Sequence, residues 1–243
     1  MYHFFAKEEN ICGDFIKIYG SDVNHIRNVL RMKCGEKVII SSSDVDYYCR
    51  IENMDEDCVT CHIDSADADG HELKSKIYLF QGLPKSDKME LIIQKSVELG
   101  VYEIIPVATK RAVVKLDDKK EQNKIKRWNA ISEAAAKQSK RSIIPEVTGV
   151  MTFREAVEYA KTLDVVLMPY ENEKGMEETK RIIEGIVPGQ SIGVFIGPEG
   201  GFDDTEVQTA LDMGMKVITL GKRILRTETA GLCTLSILMF YLD

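Results

Sequence analysis

The chain has 243 residues, of which 44% are hydrophobic and 29% are charged, a composition typical of one large globular domain or two smaller ones. No apolar run is long enough to span a membrane, and the first residues lack the basic and apolar segments of a signal peptide. We therefore expect a cytoplasmic protein. The formal net charge of −7, taken as a whole, argues against a nucleic-acid-binding protein.

The charge is distributed unevenly along the chain. Residues 1–72 carry 7 Lys and Arg against 15 Asp and Glu, residues 74–141 carry 16 against 8, and residues 142–243 carry 9 against 16. The positive charge is thus concentrated in the middle segment. Lysines on a long helix are usually its solvated face, but such a one-sided concentration is also typical of a surface that binds a phosphate backbone.

The first 72 residues alternate short β-like runs with turn signals, and one helix interrupts them. Ser21 or Asp22 is the expected helix cap, and Val23, Ile26, Val29 and Leu30 form its apolar face. This pattern predicts a small β-barrel with one helix, followed by a polar, acidic linker over residues 64–72. The predicted strands cover residues 15–19, 37–41, 47–51 and 58–63.

The six cysteines are scattered along the chain rather than arranged in pairs, which is typical of reduced thiols. Cys58 and Cys61, with His62 next to them, resemble one half of a zinc site. A structural zinc site needs a second pair of ligands at similar spacing, and the sequence has none. We therefore interpret this segment as a strand and predict no metal site.

After the linker, strands alternate with helices, so we divide the chain into domains 1–72 and 73–243. This alternation predicts a parallel sheet with helices on both faces, and ligands of such sheets bind beyond the carboxyl ends of the strands. The predicted strands cover residues 77–81, 104–107, 165–168, 191–196 and 217–220. The first predicted helix of this domain includes Met89 and Val97. The other predicted helices cover residues 121–139, 153–161, 176–185, 203–213 and 227 to nearly the C-terminus.

Two of these strands lead into glycine-containing loops that end at a helix N-terminus. The first loop is G-P-E-G-G-F at residues 197–202, after which Asp203 and Glu206 form a capping pattern. The second breaks at Gly221 and carries a cluster of charges before the last helix, for which Thr227 is the expected N-cap. Each loop alone is compatible with a tight turn or a solvated connection, but the repeated design favours a site where a ligand approaches the main chain. The last helix is apolar nearly all round, which predicts that it is buried.

These two loops closely resemble the C-terminal motifs of a known family. I-G-P-E-G-G-F at 196–202 and L-G-K-R-I-L-R-T-E-T-A at 220–230 are similar to motifs of the RsmE family, ribosomal RNA uridine-N3 methyltransferases of the SPOUT (α/β-knot) superfamily. The resemblance implies an α/β fold with an N-terminal small PUA-like β-barrel that recognises RNA and a C-terminal α/β SPOUT methyltransferase domain with a trefoil knot. It also implies a homodimer through the knot domain. Upstream similarities cover residues 25–31, 85–100, 104–111 and 135–141, so the resemblance extends over almost the whole chain.

The resemblance further implies S-adenosylmethionine as the methyl donor and 16S rRNA of the small ribosomal subunit as the substrate. The implied cofactor-binding residues are Leu167, Met168, Pro169, Ile196, Gly197, Pro198, Glu199, Gly200, Leu220, Gly221, Ile224, Leu225, Arg226, Thr229 and Ala230. The candidate RNA-binding residues are His25, Arg27, Arg31, Lys85, Lys110, Arg111, Lys137, Lys140 and Arg141. Arg27 and Arg31 are four residues apart, so on the predicted helix they share a face.

Methylation of uridine N3 requires the imide proton to leave. Either a carboxylate accepts this proton or a cation stabilises the oxyanion that develops at the ring carbonyls. Glu199 and Glu228 are the candidates for the first role, and Arg226 or Arg223 for the second, although each glutamate could equally cap a helix or pair with an arginine. Methyl transfer from a sulfonium needs alignment but no metal or covalent intermediate.

Two other functions stay open on the sequence alone. One is a SPOUT ribose 2′-O-methyltransferase that acts on tRNA or rRNA, because the acceptor atom cannot be read from these loops. The other is a non-catalytic RNA-binding or ribosome-assembly protein. A dinucleotide-dependent oxidoreductase is disfavoured, because no G-x-G-x-x-G follows the first strand of the second domain.

Overall fold

The computed structural model describes residues 1–68, 70–114, 116–170 and 175–243. The chain divides into two compact units. The first comprises Met1–Glu72 and Ala136–Ile144, and the second comprises Leu73–Ala135 and Pro145–Asp243. The sequence pattern assigned residues 136–144 to the second domain, whereas they pack with the first unit. Among the described residues, no helix is long and apolar enough to cross a membrane.

A six-stranded mixed sheet forms the first unit. Its strands are β1 (Tyr2–Phe5), β2 (Ile11–Cys12), β3 (Phe15–Tyr19), β4 (Lys37–Ser42), β5 (Val45–Met54) and β6 (Cys58–Asp67). Their order is β1-β4-β5-β6-β3-β2, with β1 parallel to β4 and the other neighbours antiparallel. Strand alternation places Ile16, Ile18, Val59 and Cys61 in one buried cluster, so one face of the sheet builds the core of the unit.

The predicted strands of this unit are present, and two of them are longer than expected. β6 continues to Asp67, which pairs with Asp46 of β5, so the first part of the predicted linker is strand. Asp69, also in the predicted linker, lies outside the described residues. The short strands β1 and β2 were not predicted. β1 is held by parallel pairing to β4, which is more than thirty residues away in the chain. No local sequence pattern therefore predicts β1.

The predicted N-terminal helix is a short α-helix that widens into a π-helical turn. α1 covers Ser21–Asn24, its N-cap residue is Gly20, and the π-turn covers His25–Val29. Because a π-turn holds more residues than an α-turn, Val29 leaves the buried face and is 61% exposed, contrary to the prediction. Arg31 has φ of 54°, which ends the helix before it. The expectation that Arg27 and Arg31 share a helix face is therefore wrong.

A parallel seven-stranded sheet forms the centre of the second unit. Its strands are β7 (Lys76–Gly82), β8 (Glu103–Ala108), β9 (Glu146–Val147), β10 (Met151–Thr152), β11 (Val165–Pro169), β12 (Ser191–Ile196) and β13 (Lys216–Ile218). The order is β10-β8-β7-β12-β11-β13, and β9 also pairs with β8. β13 ends two residues earlier than predicted, and the two-residue strands β9 and β10 were not predicted.

The helices follow the predicted alternation with small shifts at their ends. They are α2 (Lys88–Glu98), α3 (Asp118–Ser139), α4 (Phe153–Ala160), α5 (Met176–Glu184), α6 (Asp204–Asp212) and α7 (Thr227–Leu242). The predicted capping box of α6 is confirmed, with Asp203 as the N-cap and Glu206 bonded back to the Asp203 N–H at 2.9 Å. The Glu206 carboxylate also accepts the backbone N–H of Lys110 at 2.9 Å, so Glu206 connects two loops.

The core of the second unit centres on two aromatic rings of neighbouring strands. Phe80 of β7 and Phe195 of β12 are stacked, with centroids 4.3 Å apart and planes at 9°. Both side chains are fully buried, and each such ring contributes a large apolar area to the folded state. The two central strands are therefore held rigidly side by side, which positions the loops that follow them.

The prediction that α7 is buried is correct for only part of its surface. Leu235 and Leu238 are fully buried against the sheet, whereas Phe240 is 87% exposed and Ile237 and Tyr241 are also exposed. An apolar helix with one face on its own core leaves its opposite face uncovered in the single chain.

All six cysteines are free thiols. Cys58 and Cys61 both lie in β6, as the strand interpretation predicted. In the described parts of the chain, no three potential His, Cys, Asp or Glu ligands are grouped so that they could hold a metal ion.

Candidate functional site

The loops that the sequence singled out meet where the strand order of the parallel sheet reverses. β7 and β12 are neighbours, and Gln81 lies opposite Ile196 at their carboxyl ends. From β7 the chain continues to β8 on one side, and from β12 it continues to β13 on the other. The loops after β7 and β12 therefore begin side by side and then diverge, which is the arrangement that opens a ligand crevice in parallel sheets.

Glycines allow these two loops to touch through their main chains. A Cβ on Gly82 would lie 2.7 Å from both N and Cδ of Pro198. A Cβ on Gly197 would lie 3.1 Å from Cα of Gly201, within its own loop. Side chains at these positions are excluded by backbone rather than by mobile groups. Close packing of the site wall thus requires glycine at positions 82 and 197.

A cavity of about 490 Å³ lies at this edge of the sheet. A smaller cavity of about 80 Å³ shares Pro169, Ile224, Leu225 and Ala230 with it and extends to Gly221, whose φ is +107°. Most of the predicted cofactor-binding residues line one or both cavities: Pro169, Ile196, Gly197, Pro198, Glu199, Gly200, Leu220, Gly221, Ile224, Leu225, Arg226 and Ala230. The structure therefore brings together three segments that are distant in sequence.

Three of the predicted cofactor-binding residues lie elsewhere. Leu167 and Met168 are fully buried in β11. Thr229 is exposed on α7 and lines neither cavity. Leu167 and Met168 support the site from the core, because β11 pairs with both β12 and β13, whose loops line the cavities.

A buried hydrogen-bond chain, which the sequence did not predict, fixes the start of α7. The Thr227 hydroxyl donates to the carbonyl of Gly197 at 2.6 Å and accepts from Nε2 of Gln81 at 2.9 Å. The N-cap of α7 is Arg226 instead of Thr227, because the Thr227 hydroxyl is used in this contact between loops. A polar residue within an apolar strand, such as Gln81, was the available sequence signal.

Glu199 is the most heavily hydrogen-bonded side chain of the site. Its carboxylate accepts the Lys85 N–H at 3.1 and 3.2 Å and the Lys88 ammonium at 2.9 Å. Partial burial acts to raise the pKa of Glu199. These hydrogen bonds, together with one from its own backbone N–H, outweigh burial and hold the pKa of Glu199 below its ordinary value. Glu199 is therefore ionised and fixed, and it connects the loop after β12 to the loop after β7.

We expect the substitution Glu199→Gln to lower the free energy of unfolding by about 1–2 kcal/mol at pH 7, because it removes charge-assisted hydrogen bonds. Since the folded-state pKa of Glu199 is depressed, its stabilising contribution is present above the ordinary value of 4.5 and is lost as the pH falls through the folded-state value. Urea unfolding of both proteins from pH 7 to pH 3 measures this. If the difference in unfolding free energy between the two proteins stayed constant or grew on acidification, the stabilising role of ionised Glu199 would be contradicted.

Lys88 connects the two glutamates that the sequence proposed as proton acceptors. Its Nζ lies 2.9 Å from Oε1 of Glu199 and 3.5 Å from Oε2 of Glu228. The hydrogen bond to Glu199 is the main reason that the pKa of Lys88 is raised above its ordinary value. No local sequence pattern predicts this role of Lys88, since its partners are more than a hundred residues away in the chain.

The two candidate arginines are both exposed, and Arg223 and Arg226 line different cavities. Arg226 lines the larger cavity together with Lys88 and Glu199. Neither arginine side chain has a hydrogen bond or ion pair within the described part of the chain. Both guanidinium groups are therefore available to a ligand.

The predicted RNA-binding residues are in different situations. In the second unit, Lys110 bonds Thr205 at 2.5 Å and lies near Asp203, and Arg111 donates to the carbonyl of Gly200 at 3.3 Å. In the first unit, His25 and Lys140 are exposed, and Arg27 donates to the carbonyl of Asp55 at 2.8 Å.

Two of the predicted RNA contacts have structural partners instead. Lys137 pairs with Asp22 at 2.9 Å. Arg141 is only 5% exposed and is bonded to the Glu72 carboxylate through Nε at 3.1 Å and also through its terminal nitrogen. Burial in an ion pair explains why Arg141 is unavailable to a ligand, and we remove it from the candidate RNA contacts.

Comparisons with known proteins were made on the sequence and on the structure. A family model described as an RNA methyltransferase domain matches residues 71–239, and a model described as an RNA methyltransferase PUA domain matches residues 18–64. Together these matches cover both units of the chain.

Relatives with similar sequences extend over almost the whole chain. The ribosomal RNA small subunit methyltransferase E of Bacillus subtilis (strain 168) is 38% identical, over 92% of this chain and 89% of its own. The protein of the same name from Mesomycoplasma hyopneumoniae (strain 232) is 34% identical, over 97% of this chain and 98% of its own. A crystal structure of a ribosomal RNA small subunit methyltransferase E from Neisseria gonorrhoeae bound to S-adenosyl methionine is 30% identical, with a TM-score of 0.82 and coverage of 97% and 95%.

Proposed function

The chain belongs to the RsmE family of ribosomal RNA small subunit methyltransferases, and we propose that it methylates N3 of one uridine in 16S rRNA. It is an S-adenosylmethionine-dependent rRNA methyltransferase with a PUA domain and an α/β methyltransferase domain. The choice of uridine N3 as acceptor goes further than these relationships. It is supported by the site, which combines carboxylates that can accept a proton with cations that can stabilise an oxyanion.

The cofactor fits the residues that surround the cavities. Gly82 and Gly197, where a Cβ would meet backbone atoms, leave main-chain groups open to a ligand, and the 490 Å³ cavity is within the range of small-molecule sites. We assign its binding to the main chain of Pro169 at the end of β11, of the loop after β12 and of the segment before α7. When bound, S-adenosylmethionine supplies a methyl group on a positively charged sulfur.

The single observation that carries the proposal is the group of charged side chains at this cavity. Glu199, Lys88 and Arg226 line it, and Glu228 lies next to Lys88. Loss of the N3 proton leaves negative charge on the uridine carbonyl oxygens. An exposed guanidinium such as Arg226 stabilises that charge, and a carboxylate accepts the proton.

We propose a trefoil knot in the C-terminal part of the chain, with the loops after β12 and β13 among its elements. We also propose a homodimer that covers the exposed apolar side of α7, where Ile237, Phe240 and Tyr241 lie. The proposed RNA contacts are the other basic candidates: His25, Arg27, Arg31, Lys85, Lys110, Arg111, Lys137 and Lys140. A ribosomal substrate places the proposed activity in the cytoplasm.

The proposed function is tested by methyl transfer from labelled S-adenosylmethionine to 16S rRNA and to assembled small subunits from cells that lack the protein. Mass spectrometry of the nucleosides identifies the product. We expect 3-methyluridine at one site. A 2′-O-methylated nucleoside would assign the chain to ribose methylation instead, and cofactor binding without any methylated RNA would favour a non-catalytic RNA-binding role.

A further inference from the structure

The two glutamates of the site differ in how their oxygens are used. Both oxygens of Glu199 accept the backbone N–H of Lys85, and Oε1 also accepts the Lys88 ammonium. Oε2 of Glu228, in contrast, is buried and has no hydrogen-bond partner in the described chain. Its 3.5 Å distance to Nζ of Lys88 is an ion-pair distance that leaves its lone pairs unoccupied.

A carboxylate whose oxygens already accept several N–H groups is a poor proton acceptor, because those bonds stabilise its ionised form. Glu199 is in that state. A carboxylate that accepts no hydrogen bond has lone pairs that can receive a proton. Glu228 accepts no hydrogen bond in the described chain, and its side chain is 17% exposed although Oε2 itself is buried.

We propose that Glu228, rather than Glu199, accepts the N3 proton of the target uridine, and that Lys88 is a positioning residue which holds both carboxylates. This inference rests on the proposed function, because it names the residues that perform its proton transfer. Lys88 is suited to the role by its place at the start of α2, which packs against α7, so one cation reaches the loop after β12 and the first turn of α7.

In the proposed step, the N3–H bond of uridine breaks and the proton moves to the carboxylate of Glu228. The electron pair of that bond stays on N3, which becomes the nucleophile. Glu228 becomes a neutral carboxylic acid and later returns the proton to water. Lys88 from α2 forms ion pairs with this carboxylate and with Glu199 of the loop after β12, and Arg226 lies two positions before Glu228 in the chain.

The test compares four variants of the full-length protein: Glu228→Gln, Lys88→Met, Lys88→Arg and the matched control Lys95→Met. Lys95 lies on the same helix but pairs only with Glu98 among the described residues. The readouts are kcat and KM for methyl transfer, the pH dependence of kcat, the equilibrium affinity for S-adenosylmethionine by calorimetry, and the titration of glutamate carboxyl carbons by NMR without cofactor.

We expect Glu228→Gln to reduce kcat by at least about 100-fold, with cofactor affinity within about threefold of wild type. Lys88→Met should reduce kcat by about 10- to 100-fold and shift the acid limb of the pH profile to higher pH, because both carboxylates lose their shared cation. In the same variant, the carboxyl carbon of Glu199 should titrate at a higher pH. Lys88→Arg should recover most of the activity, and Lys95→Met should retain all of it.

Three outcomes would overturn the inference. The first is a wild-type kcat in Glu228→Gln. The second is that Lys88→Met changes neither the pH profile of kcat nor the titration of Glu199. The third is a Lys88→Arg variant that folds normally but does not recover activity. The NMR titration still decides the role of Lys88 if the variant is inactive for other reasons. Failure of the proposed function is recognised separately, because wild-type protein would then form no 3-methyluridine.

Discussion

Replacing Gly82 with Ala is expected to weaken S-adenosylmethionine binding by about 100-fold and to lower the free energy of unfolding by about 1–3 kcal/mol. The new Cβ would lie 2.7 Å from the backbone nitrogen of Pro198, a distance that forces one of the two loops to move. Any shift displaces the loop after β12, whose main chain lines the larger cavity. Both expected losses therefore have one steric cause.

Calorimetric titration with S-adenosylmethionine and urea unfolding measure the two effects of Gly82→Ala. The matched control is Gly149→Ala, because a Cβ on Gly149 would meet only the Glu121 side chain at 3.7 Å. We expect this control to bind the cofactor normally. Normal cofactor affinity in Gly82→Ala would mean that the two loops separate without cost, and the proposed rigid wall of the site would have to be abandoned.

Replacing Glu72 with Gln is expected to lower the free energy of unfolding by about 3 kcal/mol. Arg141 is 5% exposed and forms an ion pair with Glu72, so the substitution removes a negative charge that stabilises a buried cation. Glu72 also accepts the backbone N–H groups of Ser142 and Ile143, at 2.8 and 3.3 Å. This carboxylate therefore holds the segment of residues 136–144 within the first unit.

Chemical unfolding, with tryptophan fluorescence and circular dichroism as probes, measures the effect of Glu72→Gln. The control is Asp64→Asn, which breaks the exposed pair of Asp64 with Arg50 and should leave the transition unchanged. Equal behaviour of the two variants would show that burial of Arg141 has no energetic consequence, which contradicts the structural role assigned to it.

The sequence predicted the elements whose signals are local. Periodic apolar residues located the long helices, and the Asp203–Glu206 capping box marked the start of α6 to within one residue. The glycine-containing motifs after β12 and before α7 located the candidate site, because Gly197 packs closely against Gly201 in its own loop and Gly221 has a φ of +107°. In both cases the deciding interaction joins residues only a few positions apart.

The errors occur where a distant partner decides the structure. Thr227 resembles an N-cap, but its hydroxyl bonds Gly197 and Gln81, so Arg226 takes the cap position. Arg141 resembles a basic surface residue, but Glu72 binds it in the interior. In both cases a tertiary contact overrides the local propensity of the residue.

By itself, the sequence determined the alternation of strands and helices, the two motif loops and the family resemblance, because each depends on short-range patterns of residues. Only the tertiary structure decided that β7 and β12 lie side by side and that Lys88 stands between Glu199 and Glu228. Lys88 is separated from both glutamates by more than a hundred positions in the chain. Their proximity results from the order of strands in the sheet, and sequence spacing carries no information about that order.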